Sequence, residues 1–231
     1  MSQQFQHLPE NSSHDRLLRA LAYELKQPLI RIARQAESGE VTTLGTIQST
    51  AEQTLQLIDS YLLAAQAEYG QLALDLSPIN TGSILYDTLY ELREQASARG
   101  ISLVLDNRTH EPVMSHQPAL SSILKVFATT LFDLQDSTNA KVLLRSYKTR
   151  AGKIGIGLFG SATLTKTDVE RALMLQGKAH LSLARAGNTH IPLAIAEGLC
   201  RAIGSSLQVK HMGRLSGLVT ELPRSEQLSW V

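Results

Sequence analysis

From Leu17 to about Glu37 the apolar residues Leu18, Leu21, Leu25, Leu29 and Ile32 recur at steps of three and four. That spacing predicts an amphipathic helix with one apolar stripe. Pro28 lies inside it and, having no backbone donor, predicts a kink. "AESGEVTT" breaks the pattern at Gly39, and a second stripe follows: Leu44, Ile47, Ala51, Leu55, Ile58, Leu62 and Ala65. Two such helices joined by a short loop predict an antiparallel hairpin. Both also carry apolar residues off the stripe, among them Leu17, Ala22, Ile30, Leu57 and Leu63. A lone hairpin cannot cover that surface, so the pattern predicts pairing with a second hairpin into a dimeric four-helix bundle.

After "EYGQLALDLSPIN" the pattern changes. A helix is predicted over Thr81 to Ala98, closed by Gly100. "ISLVLD" reads as a strand and "PALSSILKVFATTLFDL" as a helix. "AKVLLRSYKT" and "KIGIGLFG" read as strands around a "RAGK" turn. "KTDVERALML" and "IPLAIAEGLCRAI" are helical, the latter ended by Gly204; "SSLQVKHM" and "LSGLVTELP" form a hairpin around "GR". Strands bunched into late hairpins predict an α/β sandwich with helices on one sheet face, not a doubly wound parallel sheet.

Composition narrows the function. The 231 residues are 43% hydrophobic, enough for one large domain or two small ones. Charges nearly cancel, 22 Lys plus Arg against 21 Asp plus Glu, so nucleic acid is not expected as a partner. The single Cys200 excludes an intramolecular disulfide framework and fits a reducing compartment. No apolar run approaches the roughly 18 residues needed for a membrane span, so no membrane insertion is expected. The start, "MSQQFQHLPENSSHD", lacks the basic and apolar regions of a secretory signal. A cytoplasmic protein with a short disordered tail is expected.

The order of parts, with the segment "AYELKQPL" at residues 22–29, resembles the transmitter core of bacterial sensor histidine kinases. "AYELKQPL" is similar to that family's acceptor box S-H-E-L-R-T-P-L: Glu24, Leu25, Pro28 and Leu29 match, and Lys26 is a conservative replacement. "LAIAEGLCRAIGSSLQVKH" and "GLVTELP" resemble the family's final helix and hairpin. The resemblance covers roughly residues 12 to 223. The fold class expected is therefore α+β: a helical hairpin forming a dimeric four-helix bundle, then an α/β sandwich of the histidine kinase ATP-binding type. The domains expected are a disordered tail at 1–11, a dimerisation and phosphoacceptor-like hairpin at 12–70, and a degenerate ATP-binding-like sandwich at 71–231.

The residues that carry the family's chemistry are replaced. Tyr23 stands where the resemblance places the phosphorylated histidine. Imidazole is nucleophilic near neutral pH because its pKa is close to 7, whereas a phenol with a pKa of about 10 stays protonated. The asparagine box N-L-L-x-N-A lies over "VFATTL", with Val126 and Thr130 at the asparagine positions. Magnesium prefers oxygen ligands, and a lone Thr130 hydroxyl is a poor substitute. The D-x-G-x-G box falls on "FGSAT", residues 159–163, and no Asp or Glu lies between Asp136 and Asp168. The second glycine box falls on "NTHIPL", residues 188–193, where His190 and Pro192 replace glycines that let backbone approach phosphates. No cofactor is expected: ATP and magnesium binding are predicted lost.

Gln27 lies one helical turn after Tyr23. In the resembling family that position can hold a polar residue that orients water for attack on a response regulator's phospho-aspartate. Gln27 reads either as such a group or as a solvated helix residue. Glu24 reads as a base toward that water or as an ion-pair partner within the helix. Arg16, Arg19, Tyr23, Lys26 and Ile30 share a face by helical spacing. Arg19, Tyr23, Lys26 and Gln27 are thus candidates for docking the acidic pocket of a receiver domain, or form a solvated charged face. The histidines lack metal-ligand spacing, and Cys200 reads as a packing residue. The leading expectation is an inactive histidine-kinase-like homodimer binding a response regulator or another histidine kinase. The alternatives are a response-regulator phosphatase using Gln27, and a phosphotransfer protein, which the absence of a histidine at position 23 opposes. Input is expected from a partner or the terminal tails.

Overall fold

Two 26-residue helices open the fold, α1 (Ser13–Ser38) and α2 (Thr43–Glu68), and they pack against each other. The structure, a computed structural model, describes residues 13–38, 43–68, 74–135, 139–174 and 190–225. The tail read at residues 1–11 lies outside the described residues. Helix α1 runs through Pro28, which removes one donor from the ladder and leaves its other bonds possible.

In α2 the apolar stripe is not the buried face. Leu44, Leu55 and Leu62 are 65%, 60% and 49% exposed, whereas Thr50, Thr54, Ser60, Tyr61 and Ala64 are buried. Hydroxyls can occupy a buried helix face when they return a hydrogen bond to the carbonyl one turn back. Thr54 Oγ1 does so to Thr50 at 2.7 Å, and Ser60 Oγ to Gln56 at 2.8 Å.

Helix α3 (Thr81–Ala98) starts where the Asn80 side chain accepts a hydrogen bond from the Ser83 N–H at 3.1 Å. It stops at Gly100, whose φ of +67° allows the Ile101 N–H to reach back to the Ala96 carbonyl. Helix α4 (Gln117–Asp133) is capped by His116, whose Nδ1 accepts from the Ala119 N–H at 3.3 Å. The remaining helices are α5 (Lys166–Met174) and α6 (His190–Ala202).

Five strands, β2 (Ser102–Asn107), β4 (Lys141–Lys148), β5 (Ile154–Gly160), β6 (Leu207–Met212) and β7 (Leu215–Leu222), form one sheet ordered β2-β4-β5-β7-β6. Only β2 and β4 run parallel, because α4 carries the chain across between them; the other pairs are antiparallel. Two three-residue strands, β1 (Ser77–Ile79) and β3 (Val113–Ser115), pair separately. The sequence pattern did not reveal them.

Side chains alternate across the sheet. Val142 and Leu144 of β4, Ile154, Ile156 and Leu158 of β5, and Leu218 and Leu222 of β7 are fully buried in one core with Phe127, Leu131, Ile195 and Leu199 of α4 and α6. The helices therefore lie on one sheet face, as expected for a sandwich. Tyr61 and Ala64 of α2 join the same core, with Ala64 against Gly198 of α6. The C-terminal half of α2 is thus packed on the sandwich, and the core continues across the boundary expected at residue 70.

Candidate functional site

The acceptor-like stretch sits in the middle of α1. Tyr23 and Gln27 are one turn apart in the helix, with Glu24 and Lys26 between them and Arg19 one turn before Tyr23. Lys26 is exposed and Leu25 packs against the core. The side chains of Arg19, Tyr23, Glu24 and Gln27 lie outside the described residues. The amphipathic period delivered the helix, but their contacts do not follow from it.

The positions aligned with the asparagine box lie on α4, in the layer facing α6. Val126 and Thr130 are both buried, and Thr130 is only 2% exposed. The Thr130 hydroxyl has no hydrogen-bond partner among the described residues. Val126 offers no side-chain polar atom, so the two aligned positions together present one hydroxyl.

The stretch aligned with the next box, residues 159–163, begins at the end of β5. Phe159 turns away from the helices, its ring lying over Gly217 of β7. Gly160 is the residue on the helix side: a Cβ there would meet Val142 and the side-chain amide of Gln135. Neither residue supplies a carboxylate. The following turn is held by polar contacts that the sequence reading missed. Ser161 Oγ donates to Gln135 Oε1 at 2.8 Å, and Ser216 Oγ donates to the Ala162 carbonyl while accepting from the Leu164 N–H.

Helix α5 then begins with a reciprocal cap. Asp168 accepts from the Thr165 N–H at 3.0 Å and the Thr165 hydroxyl at 2.6 Å, and the Asp168 N–H returns a bond to Thr165. These bonds hold the Asp168 carboxyl below the usual range. The Thr-x-x-Asp spacing was a legible signal for this cap. Asp168 is therefore engaged in ending a loop, not in replacing the missing aspartate.

In the second glycine box, His190 and Pro192 occupy the first turn of α6. Asn188 and Thr189 lie outside the described residues. Leu193, Ala194, Ile195 and Ala196 follow directly as buried apolar residues. A helix starts where the resembling family has a flexible glycine run.

Other candidates resolve as structural. Cys200 is buried in α6 and burial pushes its thiol up to about 12, so it remains protonated. His116 caps α4, while His110 is exposed with its Nδ1 3.3 Å from Asn107. Among the described residues no group of three or more His, Cys, Asp or Glu could hold a metal ion.

A helical layer on one face of a mixed five-stranded sheet, preceded by a long helix pair, is the architecture to be compared with known proteins. That comparison gives the histidine kinase class. The chain is 27% identical over 203 residues to sensor protein GacS of Pseudomonas syringae pv. syringae, and 25% identical to sensor histidine kinase GacS of Pseudomonas protegens. Each match covers 82% of the chain but 22% of the relative, so the chain spans about a fifth of the length of these curated relatives. No family model matches.

Among solved structures, the histidine kinase AdeS of Acinetobacter baumannii matches with a TM-score of 0.62 at 13% identity, covering 88% of this chain and 98% of that one. Full-length ShkA in complex with AMPPNP matches with a TM-score of 0.59 at 18% identity, covering 92% and 44%. The relatives and structural neighbours are histidine kinase transmitter and catalytic ATP-binding domains, and a degenerate kinase core is consistent with them. Among the described residues no helix is long and apolar enough to cross a membrane.

Proposed function

We propose that this chain is a catalytically inactive histidine-kinase-like signalling module of the cytoplasm. It acts as a homodimer, through protein–protein contact with the receiver domain of a response regulator or with another histidine kinase. One observation carries this reading. The described helices and strands have the arrangement of a histidine kinase ATP-binding domain, and the resemblance aligns Tyr23, Val126, Thr130 and Phe159 with its nucleophile, its asparagine positions and its adenine-reading carboxylate.

Radiolabelled ATP should accordingly leave no label on the protein. Titrating ATP with magnesium calorimetrically should show weak binding or none, because Val126 and Thr130 offer the ion a single hydroxyl where it needs several oxygen ligands. A magnesium-dependent dissociation constant in the low micromolar range would show that other residues have rebuilt the pocket.

Docking would use the middle of α1. Lys26 is exposed there, and Arg19 adds a second cation on the same helix. A receiver domain's acidic pocket is complementary to both. The test is the lifetime of a phospho-aspartate on a purified partner receiver. With docking alone, the lifetime stays unchanged or lengthens, and Arg19→Ala with Lys26→Ala weakens binding in a salt-dependent manner. If Gln27 orients water, with Glu24 beside it, the lifetime shortens and Gln27→Ala restores it without loss of affinity, since such a group acts on the transition state. The second result replaces the docking reading with a phosphatase.

A further inference from the structure

On the sheet face turned away from the helices, alternate residues of the strands surround a cleft of about 920 Å³. Glycines shape its floor. A Cβ at Gly155 would strike the Tyr147 ring, and one at Gly217 would strike the Phe159 ring. Both rings can therefore lie against the sheet, with centroids 6.4 Å apart.

Cations surround this floor: Arg108, Arg145, Lys148, Arg150 and Lys210, with His211 beside them. Their acidic neighbours are few. Arg108 and Arg145 share Asp106, at 3.1 Å and 3.4 Å. Lys148 pairs with Glu111 at 3.1 Å, a carboxylate also taken by Arg224, and Lys210 pairs with Glu221 at 3.0 Å. Arg150 has no ion pair or hydrogen bond among the described residues. The cleft keeps a surplus of positive charge although the whole chain is nearly neutral.

Arg145 is the most informative of these residues. Its side chain is 9% exposed, yet its Nη1 is buried with no hydrogen-bond partner among the described residues. The guanidinium stands 5.9 Å from the centre of the Tyr147 ring. A buried charge needs compensation and a buried donor needs an acceptor; the shared Asp106, at 3.4 Å from one nitrogen, supplies little of either. An acceptor entering from the cleft would satisfy both.

We infer that this cleft binds a small phosphate-bearing ligand, with its phosphate held by Arg145 and Arg150. Phosphate fits better than a carboxylate because it carries more charge and more acceptor oxygens, matching several cations at once. The concave shape and volume suit a small molecule. Two sources share this chemistry: a bare phosphate compound, and a nucleotide whose base lies on the Tyr147 ring. The asparagine-box positions Val126 and Thr130 lie on α4, across the sheet from this cleft, whereas Phe159, the first residue of the stretch aligned with the aspartate box, lines it.

The test is calorimetry on the full chain with inorganic pyrophosphate and, separately, AMP, in buffer of fixed ionic strength, first without magnesium and then with it. Both should bind. Equal affinities identify a bare phosphate site; tighter AMP binding that Tyr147→Ala removes identifies a nucleotide site. Arg145→Gln and Arg150→Ala should each weaken pyrophosphate by about tenfold or more, the range for a lost charged hydrogen bond. Arg150 is exposed, so its variant keeps the test valid should Arg145→Gln unfold. Absence of heat with both probes overturns the inference, as does affinity unchanged in Arg150→Ala and in a folded Arg145→Gln. Binding that needs magnesium and ignores both substitutions would place the ligand in the kinase-type pocket and also overturns it.

Discussion

In light scattering at micromolar concentration the chain should run at about twice its 25.3 kDa mass, and Leu55→Lys should return it to the monomer. The reason lies on α2. Leu44, Leu55 and Leu62 are separated by eleven and seven residues, close to whole numbers of turns, and all three are exposed. Leu29 of α1 is exposed as well. A second copy presenting the same stripe would bury these leucines in a seam related by two-fold symmetry. Lysine at 55 would then enter the seam from both copies, and an unpaired charge in an apolar contact is strongly unfavourable. The substituted side chain is exposed within one chain, so circular dichroism should be unchanged. A monomer mass for the unsubstituted chain across the micromolar range would remove the four-helix bundle.

Replacing Phe127 with alanine should destabilise the sandwich by about 3–5 kcal/mol, the range for emptying a buried phenyl site. Phe127 is fully buried on α4. It belongs to the core that includes Leu124, Leu131, Ile156 and Leu158, residues of α4 and β5 that cannot all move inward to fill the space. Urea unfolding should show a lower midpoint with an unchanged slope, since the surface exposed on unfolding is nearly the same. A loss below about 1 kcal/mol would mean that α4 is not seated on the sheet as described.

Most of the fold could be read from the chain because long elements repeat their pattern often enough to register. Helix α3 occupies the expected Thr81–Ala98, and Gly100 closes it for the expected reason, a left-handed residue past the last turn. Strands β1 and β3 escaped because three residues carry too little alternation, and their pairing joins segments more than thirty residues apart. The parallel partner of β2 also follows from the route through α4 and not from either strand's own pattern. For the candidate site, the sequence located the replaced groups but not their directions. Which of Phe159 and Gly160 faces the helices depends on strand phase. The outer cleft was partly visible as Leu143, Arg145 and Tyr147 alternating with Val142, Leu144 and Ser146. What no pattern could tell was that Arg145 would be buried with an unused donor.

The contact between Ala64 and Gly198 also has a mechanical meaning. Helix α2 is seated on the sandwich near its C-terminal end, while its other end, Thr43, lies 21 residues away. At about 1.5 Å per residue that is a rigid arm of roughly 32 Å. Tilting the arm at its seat by about 10° would carry the far end roughly 5–6 Å, near the pitch of one helical turn. Such a tilt would also change how α2 lies along α3, because Gln48, Glu52, Gln53 and Gln56 line one cleft with Glu91, Leu92 and Gln95. The arm needs no reactive group to do this.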